Sequence, residues 1–176
     1  ELLRPIERDL ELYCRRLIWD PQEMPDAIQN AVLRAFAAFD RYHADASFRA
    51  WLFKILTREV LTLNRKHARI ALHEFQLEPH ELEQLAWSEP PDKTTDITPA
   101  FAELGETLSE PLMSALKTLS DNERAVLLLR AIANLRYREI AETLEIPIGS
   151  VMAYLARARQ KMRAAIARAN MPNPRP

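Results

Sequence analysis

Two glycines, Gly105 and Gly149, occur among the 176 residues of this chain, whereas an average composition would supply about a dozen. Loops that bind phosphate through backbone amides need several glycines within a short run, and tight β-hairpins also rely on glycine. The sequence therefore excludes a Rossmann fingerprint, a P-loop and a nucleophile elbow, and it disfavours hairpin-rich barrels and sandwiches.

Apolar residues recur at helical spacing through most of the chain, which predicts amphipathic helices. We expect a first helix over 2–19, a second over 25–40, and a third that begins after the N-cap residue Ser47 and reaches about Arg69. The predicted apolar stripe of the second helix consists of Ile28, Val32, Phe36 and Phe39. The chain is thus predicted to be all-α.

The middle of the chain differs in composition from both ends. Residues 71–118 carry 10 Asp/Glu against 2 Lys/Arg, a net charge of -8, and five of the twelve prolines lie between Pro79 and Pro111. This composition is typical of a linker. We expect two small helical domains, over 1–72 and 112–170, joined by an acidic, proline-rich linker over 73–111 and followed by a disordered tail over 171–176.

The C-terminal part has the pattern of a helix-turn-helix unit. Ser120 followed by Glu123 forms a capping box that begins one helix, and Pro147 and Gly149 separate the last two helices. The last helix, from about Ser150, contains no acidic residue and carries the cations Arg157, Arg159, Lys161 and Arg163. Such unopposed charge favours binding to DNA phosphates; the alternative is an amphipathic tail whose charges face water.

A second cationic stretch lies in the third predicted helix and consists of Lys54, Arg58, Arg65, Lys66 and Arg69. Before it, Tyr42 and His43 lie close in sequence to Arg49, and aromatic rings beside arginine can stack on exposed bases of single-stranded DNA. Phe48 and Trp51 have helical spacing, which favours a place in the core. Tyr42 and His43 are therefore the better candidates for contact with bases.

Several classes of function find no support in the sequence. The single cysteine, Cys14, excludes an internal disulfide and a multi-cysteine zinc site, and it fits a reducing compartment. We find no combination of nucleophile, base and orienting group, so an enzyme is not expected, and neither is a metal or another cofactor. No apolar run approaches the ~20 residues of a membrane span. We expect a cytoplasmic protein without membrane insertion.

Two parts of the chain resemble bacterial sigma factors. Residues Asp26–Phe36 and Phe48–Ile55 resemble region 2 of the sigma-70 family. Residues Leu119–Leu129, together with Tyr137–Ala141 and Ile146–Val151, resemble region 4. Both regions in this order, with nothing resembling region 3 between them, is the layout of the extracytoplasmic-function (ECF) group.

The resemblance implies roles for the N-terminal part. Region 2 of the family docks on the clamp helices of core RNA polymerase, and the matching residues here are Asp26, Gln29, Asn30 and Leu33. The loop Arg41–Ser47 and the helix after it match the part that opens the -10 element and captures a flipped base, which costs a few kcal/mol of unstacking. The candidate -10 contacts are Tyr42, His43, Ser47, Arg49, Arg65 and Lys66.

The resemblance also implies that region 4 binds the -35 element of promoter DNA and the polymerase flap. The candidate -35 contacts are Ser150, Met152, Ala153, Tyr154, Arg157, Arg159 and Lys161. The chain is then a sigma factor that directs core polymerase to promoters. Two alternatives stay open: a helix-turn-helix transcriptional regulator, and a sigma-like decoy that binds a regulator without DNA. Whether an anti-sigma factor binds is also open.

The chain departs from the family pattern at three places. Arg58 and Thr62 stand where the third helix of the family usually has asparagine and aspartate. The recognition helix begins Ser150-Val-Met-Ala-Tyr154 in place of Thr-Val-Lys-Ser-Arg, which removes two basic residues and lowers the number of phosphate or guanine contacts. Glu145 replaces the glycine often found at the helix-turn-helix bend. Because positive φ strains a residue with a side chain, we expect this turn to follow a different path.

Overall fold

A computed structural model describes residues 2–43, 47–75 and 110–169, and all regular secondary structure within these ranges is helical. The α-helices are α1 (Glu7–Leu17), α2 (Met24–Ala37), α3 (Phe48–Phe75), α4 (Glu110–Lys117), α5 (Asp121–Ala131), α6 (Tyr137–Leu144) and α7 (Ile148–Ala169). The all-α prediction is confirmed. Helix α3 runs six residues past its predicted end at Arg69. The linker residues 76–109 and the tail residues 171–176 lie outside the described residues.

Helices α1, α2 and α3 form the N-terminal set, in which α2 packs against α3. The buried stripe of α2 consists of Ala27, Ala31 and Ala35. The predicted stripe is wrong at its C-terminal end, because Phe36 is 84% exposed and Phe39 is 47% exposed. The small alanine side chains let the α2 backbone lie close to α3, and this close approach leaves the two phenylalanines outside.

Buried polar groups fix α3 against α1. The hydroxyl groups of Tyr13 and Thr57 lie 2.8 Å apart in the core. The side chain of Asn64 is fully buried, where its Nδ2 donates to the carbonyl of Leu17 at 3.1 Å and its Oδ1 accepts from the Trp19 amide at 3.0 Å. Asn64 therefore pairs a carbonyl that α1 leaves free at its C-terminal end and also an amide of the segment that follows α1.

Helices α4 to α7 form the C-terminal set, with α7 packed along α4, α5 and α6. The predicted capping box is present at the start of α5. The Glu123 amide donates to Ser120 Oγ at 3.3 Å, and the Ser120 amide donates to Glu123 Oε2 at 3.0 Å. These two bonds pair backbone donors that would otherwise be unsatisfied.

The helix-turn-helix bend between α6 and α7 keeps the conformation that glycine favours. Glu145 has φ 57° and ψ 43°, which is left-handed, and its amide donates to the Ala141 carbonyl. The Ile146 amide donates to the same carbonyl at 3.1 Å. The expectation of a different path is therefore wrong: the chain accepts a strained residue at this position, at a cost of roughly 1–2 kcal/mol for left-handed backbone.

The two helical sets contact each other, with α3 packed on α6 and α1 on α5. The contact includes polar bonds over long sequence separations. Trp19 Nε1, after α1, donates to Asp121 Oδ1 at 3.0 Å, and Arg16 Nη1 contacts Met113 Sδ. This packing brings the N-terminal part of α3 close to the helix-turn-helix bend.

Candidate nucleic-acid interface

The last helix, α7, has one buried stripe and one exposed face. Val151, Leu155, Ala158 and Met162 are buried against the rest of the C-terminal set. Among the predicted -35 residues, Met152 and Ala153 lie on the exposed face, whereas Ser150, Tyr154, Arg157 and Arg159 are half-buried at its edges and Lys161 is exposed. The cations of α7 therefore do not extend over its whole exposed face, because the exposed residues of its first two turns carry no charge.

The carboxylate of Glu123 joins α5 to α7. It is buried, with a side-chain exposure of 4%, and it lies 3.4 Å from Arg157 Nε and 2.7 Å from Lys161 Nζ. The same carboxylate closes the capping box at the start of α5. Glu123 therefore holds two of the predicted -35 residues at fixed positions, a role that the sequence analysis missed because it assigned Glu123 to the capping box alone.

The electrostatic environment keeps Glu123 ionised. Burial by itself opposes the charged form, but the hydrogen bonds from Lys161 and from Ser120 outweigh it and hold the pKa of Glu123 below its ordinary value of 4.5. A buried carboxylate is stable only when its oxygen atoms are paired, and here two cations and a backbone amide pair them. The positions of Arg157 and Lys161 are consequently part of the folded state.

Arg157 also contacts the ring of Tyr154. Its guanidinium carbon lies 4.9 Å from the ring centroid, within the range of a cation–π interaction. The side chain of Arg157 is 34% exposed, so it keeps a surface that can meet solvent or DNA. Together, Glu123 and Tyr154 hold Arg157 in its orientation at the edge of the exposed face.

The exposed face of α3 is strongly cationic. Arg58, Thr62, Arg65, Lys66 and Arg69 are all exposed and recur at helical spacing. Arg65 donates from Nε to the Leu61 carbonyl at 3.1 Å and from Nη2 to Thr62 Oγ1 at 3.3 Å. These bonds lie along the helix itself. The predicted pair Arg65 and Lys66 therefore lies on one accessible surface, as contact with a DNA backbone requires.

The aromatic residues before and at the start of α3 form one cluster. The centroid of the Tyr42 ring lies 5.6 Å from that of Phe48 and 5.2 Å from that of Trp51. The Tyr42 ring also stacks on Phe39, with a centroid distance of 6.0 Å. Phe48 and Trp51 pack against the core, as expected, and Tyr42 is half-buried beside them.

The loop residues next to this cluster, His43 and Ser47, are more exposed than Tyr42. His43 is exposed, and Ser47 Oγ accepts from the Ala50 amide at 3.3 Å as the predicted N-cap. Residues 44–46 of the loop lie outside the described residues. Of the two aromatic candidates for base contact, His43 is thus the more accessible.

Arg49 is bound within the protein. Its Nε donates to the Ala133 carbonyl at 2.6 Å, its Nη2 donates to the Ile132 carbonyl at 3.0 Å, and it forms an ion pair with Asp9. Arg49 thereby connects α1, α3 and the end of α5. In this conformation its guanidinium is occupied by acceptors of both helical sets.

Glu145 forms another polar contact between the sets. From the helix-turn-helix bend, its carboxylate pairs with Arg58 and lies 3.5 Å from Lys54 Nζ. The hydrogen bond from Arg58, its charge and the charge of Lys54 lower the pKa of Glu145. The residue that departs from the family pattern at the bend therefore contacts the residue that departs from it on α3.

The predicted polymerase-binding residues lie on the outer side of α2. Asp26, Gln29, Asn30 and Leu33 are all exposed and follow helical spacing along one stripe. Phe36 continues this stripe and is more exposed than Leu33, with 84% against 58%. The sequence analysis assigned Phe36 to the core. The alanines at helical spacing, Ala27, Ala31 and Ala35, were the sequence signal for a different buried face, which leaves Phe36 exposed.

The described residues contain no group of three or more His, Cys, Asp or Glu side chains that could hold a metal ion. Cys14 is fully buried, and burial raises the pKa of its thiol to about 12. None of the described helices combines the length and the apolar character that crossing a membrane requires.

Comparison with protein families identifies both halves. A model of sigma-70 region 2 matches residues 2–70, and a model of sigma-70 region 4 matches residues 109–162. The chain belongs to the sigma-70 family. In this sigma-family chain, α1 to α3 therefore form region 2, and α4 to α7 contain region 4.

Related proteins carry the name of the ECF group. The ECF RNA polymerase sigma factor SigG of Mycobacterium tuberculosis is 30% identical over 169 residues, which cover 90% of this chain but 46% of SigG. The ECF sigma factor SigW of Bacillus subtilis is 28% identical over 150 residues, covering 85% of this chain and 79% of SigW. The chain thus spans about half the length of SigG and most of SigW.

Solved structures share the fold. The sigma factor RpoE of Bartonella quintana, solved in complex with the anti-sigma factor NepR, matches with a TM-score of 0.72 at 20% identity and covers 94% of each chain. CnrH, solved with the cytosolic domain of CnrY, matches with a TM-score of 0.62 at 23% identity, over 97% of this chain and 87% of CnrH.

Proposed function

We propose that this chain is an RNA polymerase sigma factor that directs core polymerase to specific promoters and initiates transcription. The N-terminal set binds the polymerase clamp helices and opens the -10 element, and the helix-turn-helix binds the -35 element and the polymerase flap. The chain acts by binding and not as an enzyme, because contacts with the separated strands offset the cost of opening DNA. It acts in the cytoplasm with the polymerase.

One observation supports this proposal: an exposed polar stripe on α2, an exposed cationic face on α3 and a cation-bearing helix α7 occur in a single chain. The exposed α2 stripe of Asp26, Gln29, Asn30 and Leu33 supports docking on the clamp. The exposed cations Arg65 and Lys66 support contact with the DNA backbone near the -10 element. The edge residues of α7 support contact with a second site.

The proposal requires the two helical sets to separate on a promoter. The names of the two elements place them about 25 base pairs apart, or about 85 Å along B-DNA. Helix α3 contacts α6, which packs on α7, so α3 and α7 cannot read both elements in this arrangement. Residues 76–109 have an extended reach of about 115 Å, which is enough to connect separated sets. The contacts of Arg49 and Glu145 with the opposite set would then break.

We also propose that a protein of the anti-sigma class binds this chain, as NepR binds the sigma factor RpoE. A groove of about 730 Å³ between the two sets supports this proposal. Its lining combines the apolar Ile18, Trp19 and Met113 with the basic Arg15 and Lys117. Such a lining suits an amphipathic segment with acidic residues.

The rival functions differ in what they need from core polymerase. A helix-turn-helix regulator would bind duplex DNA without polymerase, and it would leave the exposed α2 stripe without a role. A sigma-like decoy would bind a regulator but not DNA; the uncharged outer face of α7 favours this rival.

Run-off transcription with core polymerase on DNA with randomised upstream sequence tests the proposal. We expect transcripts that start downstream of one shared pair of elements, and we expect the chain to co-purify with core polymerase. Duplex binding without polymerase association would favour the regulator. Polymerase association or regulator binding without any transcript would favour the decoy.

A further inference from the structure

The outer face of the first turns of α7 is apolar. Met152 is 50% exposed and Ile148 is 41% exposed, and Ala153 and Ala156 are exposed beside Met152. None of these four side chains has a hydrogen-bond donor or acceptor of ordinary strength. The helices that pack on α7 contact its opposite stripe. These four side chains can therefore make van der Waals contacts and no polar base contacts, whereas the hydroxyl groups of half-buried Ser150 and Tyr154 lie at the edges of the exposed face.

Arg157 is a strong donor at the edge of this face. It forms an ion pair with buried Glu123, whose Oε1 lies 3.4 Å from Arg157 Nε, and its guanidinium lies over the Tyr154 ring. Bidentate recognition of guanine needs two donors directed at O6 and N7 of the same base. Because Arg157 is restrained by α5, the centre of the exposed face cannot supply that pair of donors.

The charge of α7 identifies the class of ligand. From Ile148 to Ala169 the helix contains five arginine or lysine residues and no acidic residue. An apolar protein partner would not require this charge, whereas a polyanion would be attracted by it. The apolar face and the flanking cations therefore suit duplex DNA, with phosphates at the edges and base edges at the centre.

We propose that Met152, Ala153 and Ala156 read thymine methyl groups in the -35 element. This inference rests on the proposed sigma function and specifies its promoter preference. In the major groove the C5-methyl of thymine is the apolar group that a base edge offers. The short alanine side chains let the α7 backbone approach the groove, and Met152 can adapt its shape to a methyl group. Guanine or cytosine at the same places would lose water from polar atoms without gaining partners.

The test uses the full chain assembled with core polymerase. The -35 element is first selected from promoters with randomised sequence, and each selected thymine is then replaced by deoxyuridine, which removes the methyl group alone. We expect thymine at two or more adjacent positions and an affinity about fourfold lower per methyl removed at the contacted positions, from the burial energy of one methyl-sized group. Competition binding at one salt concentration measures the ratio.

Two variants test whether α7 causes the difference in affinity between thymine and deoxyuridine promoters. Met152→Ala should reduce the ratio between thymine and deoxyuridine promoters toward one. Leu2→Ala removes an apolar side chain of similar exposure, 53%, from the N-terminal end of the chain, and it should leave the ratio unchanged. Because both side chains are exposed, neither change removes core packing.

The outcomes separate this inference from the proposed function. Selected -35 elements dominated by G·C, or equal affinity for thymine and deoxyuridine promoters, would overturn methyl reading while transcription from selected promoters still supported the sigma function. Failure to select any promoter with core polymerase would overturn both.

Discussion

Two helices of this sigma-family chain are proposed to meet DNA, and they present different chemistry. Helix α3 exposes arginine and lysine directly to solvent, with Arg65 and Lys66 on the same surface. Helix α7 exposes Met152 and Ala153, while Arg157 at the edge is bound to a buried carboxylate. The difference indicates that α3 contributes chiefly salt-dependent attraction to the backbone, whereas the first turns of α7 contribute a fixed apolar shape next to the cations of its later turns.

The largest expected effect comes from α3. Replacing Arg65 and Lys66 together by alanine should make the negative slope of log affinity against log salt less steep by about 1.8, because two phosphate contacts are lost. At 0.1 M salt this corresponds to a loss of affinity on the order of 60-fold. Titration of the holoenzyme with promoter DNA at several salt concentrations measures it. Arg4→Ala and Met152→Ala should leave the slope nearly unchanged; an equal decrease in either would contradict the division of roles.

The next effect concerns the restrained cation of α7. Arg157→Ala should weaken binding of the holoenzyme to promoter DNA by about 2 kcal/mol at fixed salt, because both a DNA contact and its fixed orientation are lost. Arg157→Lys keeps the charge but loses the planar contact with Tyr154, and we expect it to recover part of the affinity. If both variants bind as tightly as the original chain, Arg157 does not face the groove.

A smaller effect should appear in folding stability. Glu123→Gln removes the charge that pairs with Arg157 and Lys161 but keeps a side chain that can close the capping box. We expect the free energy of unfolding to fall by about 1–2 kcal/mol, as for the loss of charge-assisted hydrogen bonds, measured by urea denaturation. Glu139→Gln on α6 is a control at another capping glutamate, whose carboxylate accepts from the Arg136 amide. An equal loss in the control would show that the pairing with α7 is not the cause.

The same carboxylate predicts a dependence on pH. The folded pKa of Glu123 is held below its unfolded value of about 4.5, so its stabilisation is complete above that pH. The stabilisation should be lost as the pH falls from about 4.5 through the folded pKa. The difference in unfolding free energy between the original chain and Glu123→Gln should shrink over this interval. A difference that stays constant down to pH 3 would contradict the pairing.

The smallest effect on stability is expected at the contact between the two sets. Glu145 and Arg58 are both mostly exposed, so Glu145→Gln should change the unfolding transition little. It should nevertheless loosen the contact between α3 and the helix-turn-helix bend, and small-angle scattering of the free chain would then report a larger radius of gyration. Glu142→Gln, on α6 but without a described ion pair to α3, is the matched control. An identical radius of gyration in all three proteins would show that Glu145 does not hold the two helical sets together.

The sequence analysis succeeded where the signal is local. The capping box of Ser120 and Glu123, the N-cap at Ser47 and the helical class depend on neighbouring residues, and the structure contains all of them. It failed at Phe36, since helical spacing marks two possible faces and the packing of α2 on α3 selects the alanine face. It also failed at Glu145, because the strain there is tolerated in a bend where the Glu145 and Ile146 amides both donate to the Ala141 carbonyl.

The sequence by itself determined that this chain is helical, that it carries sigma regions 2 and 4, and which segments are cationic. Those properties follow from spacing, composition and motif, which need no knowledge of distant contacts. The tertiary structure decided that Glu123 restrains Arg157, that Arg49 is bound to Ile132 and Ala133, and that Met152 faces outward. Each of these depends on groups far apart in the chain, whose approach is set by how complete helices pack together.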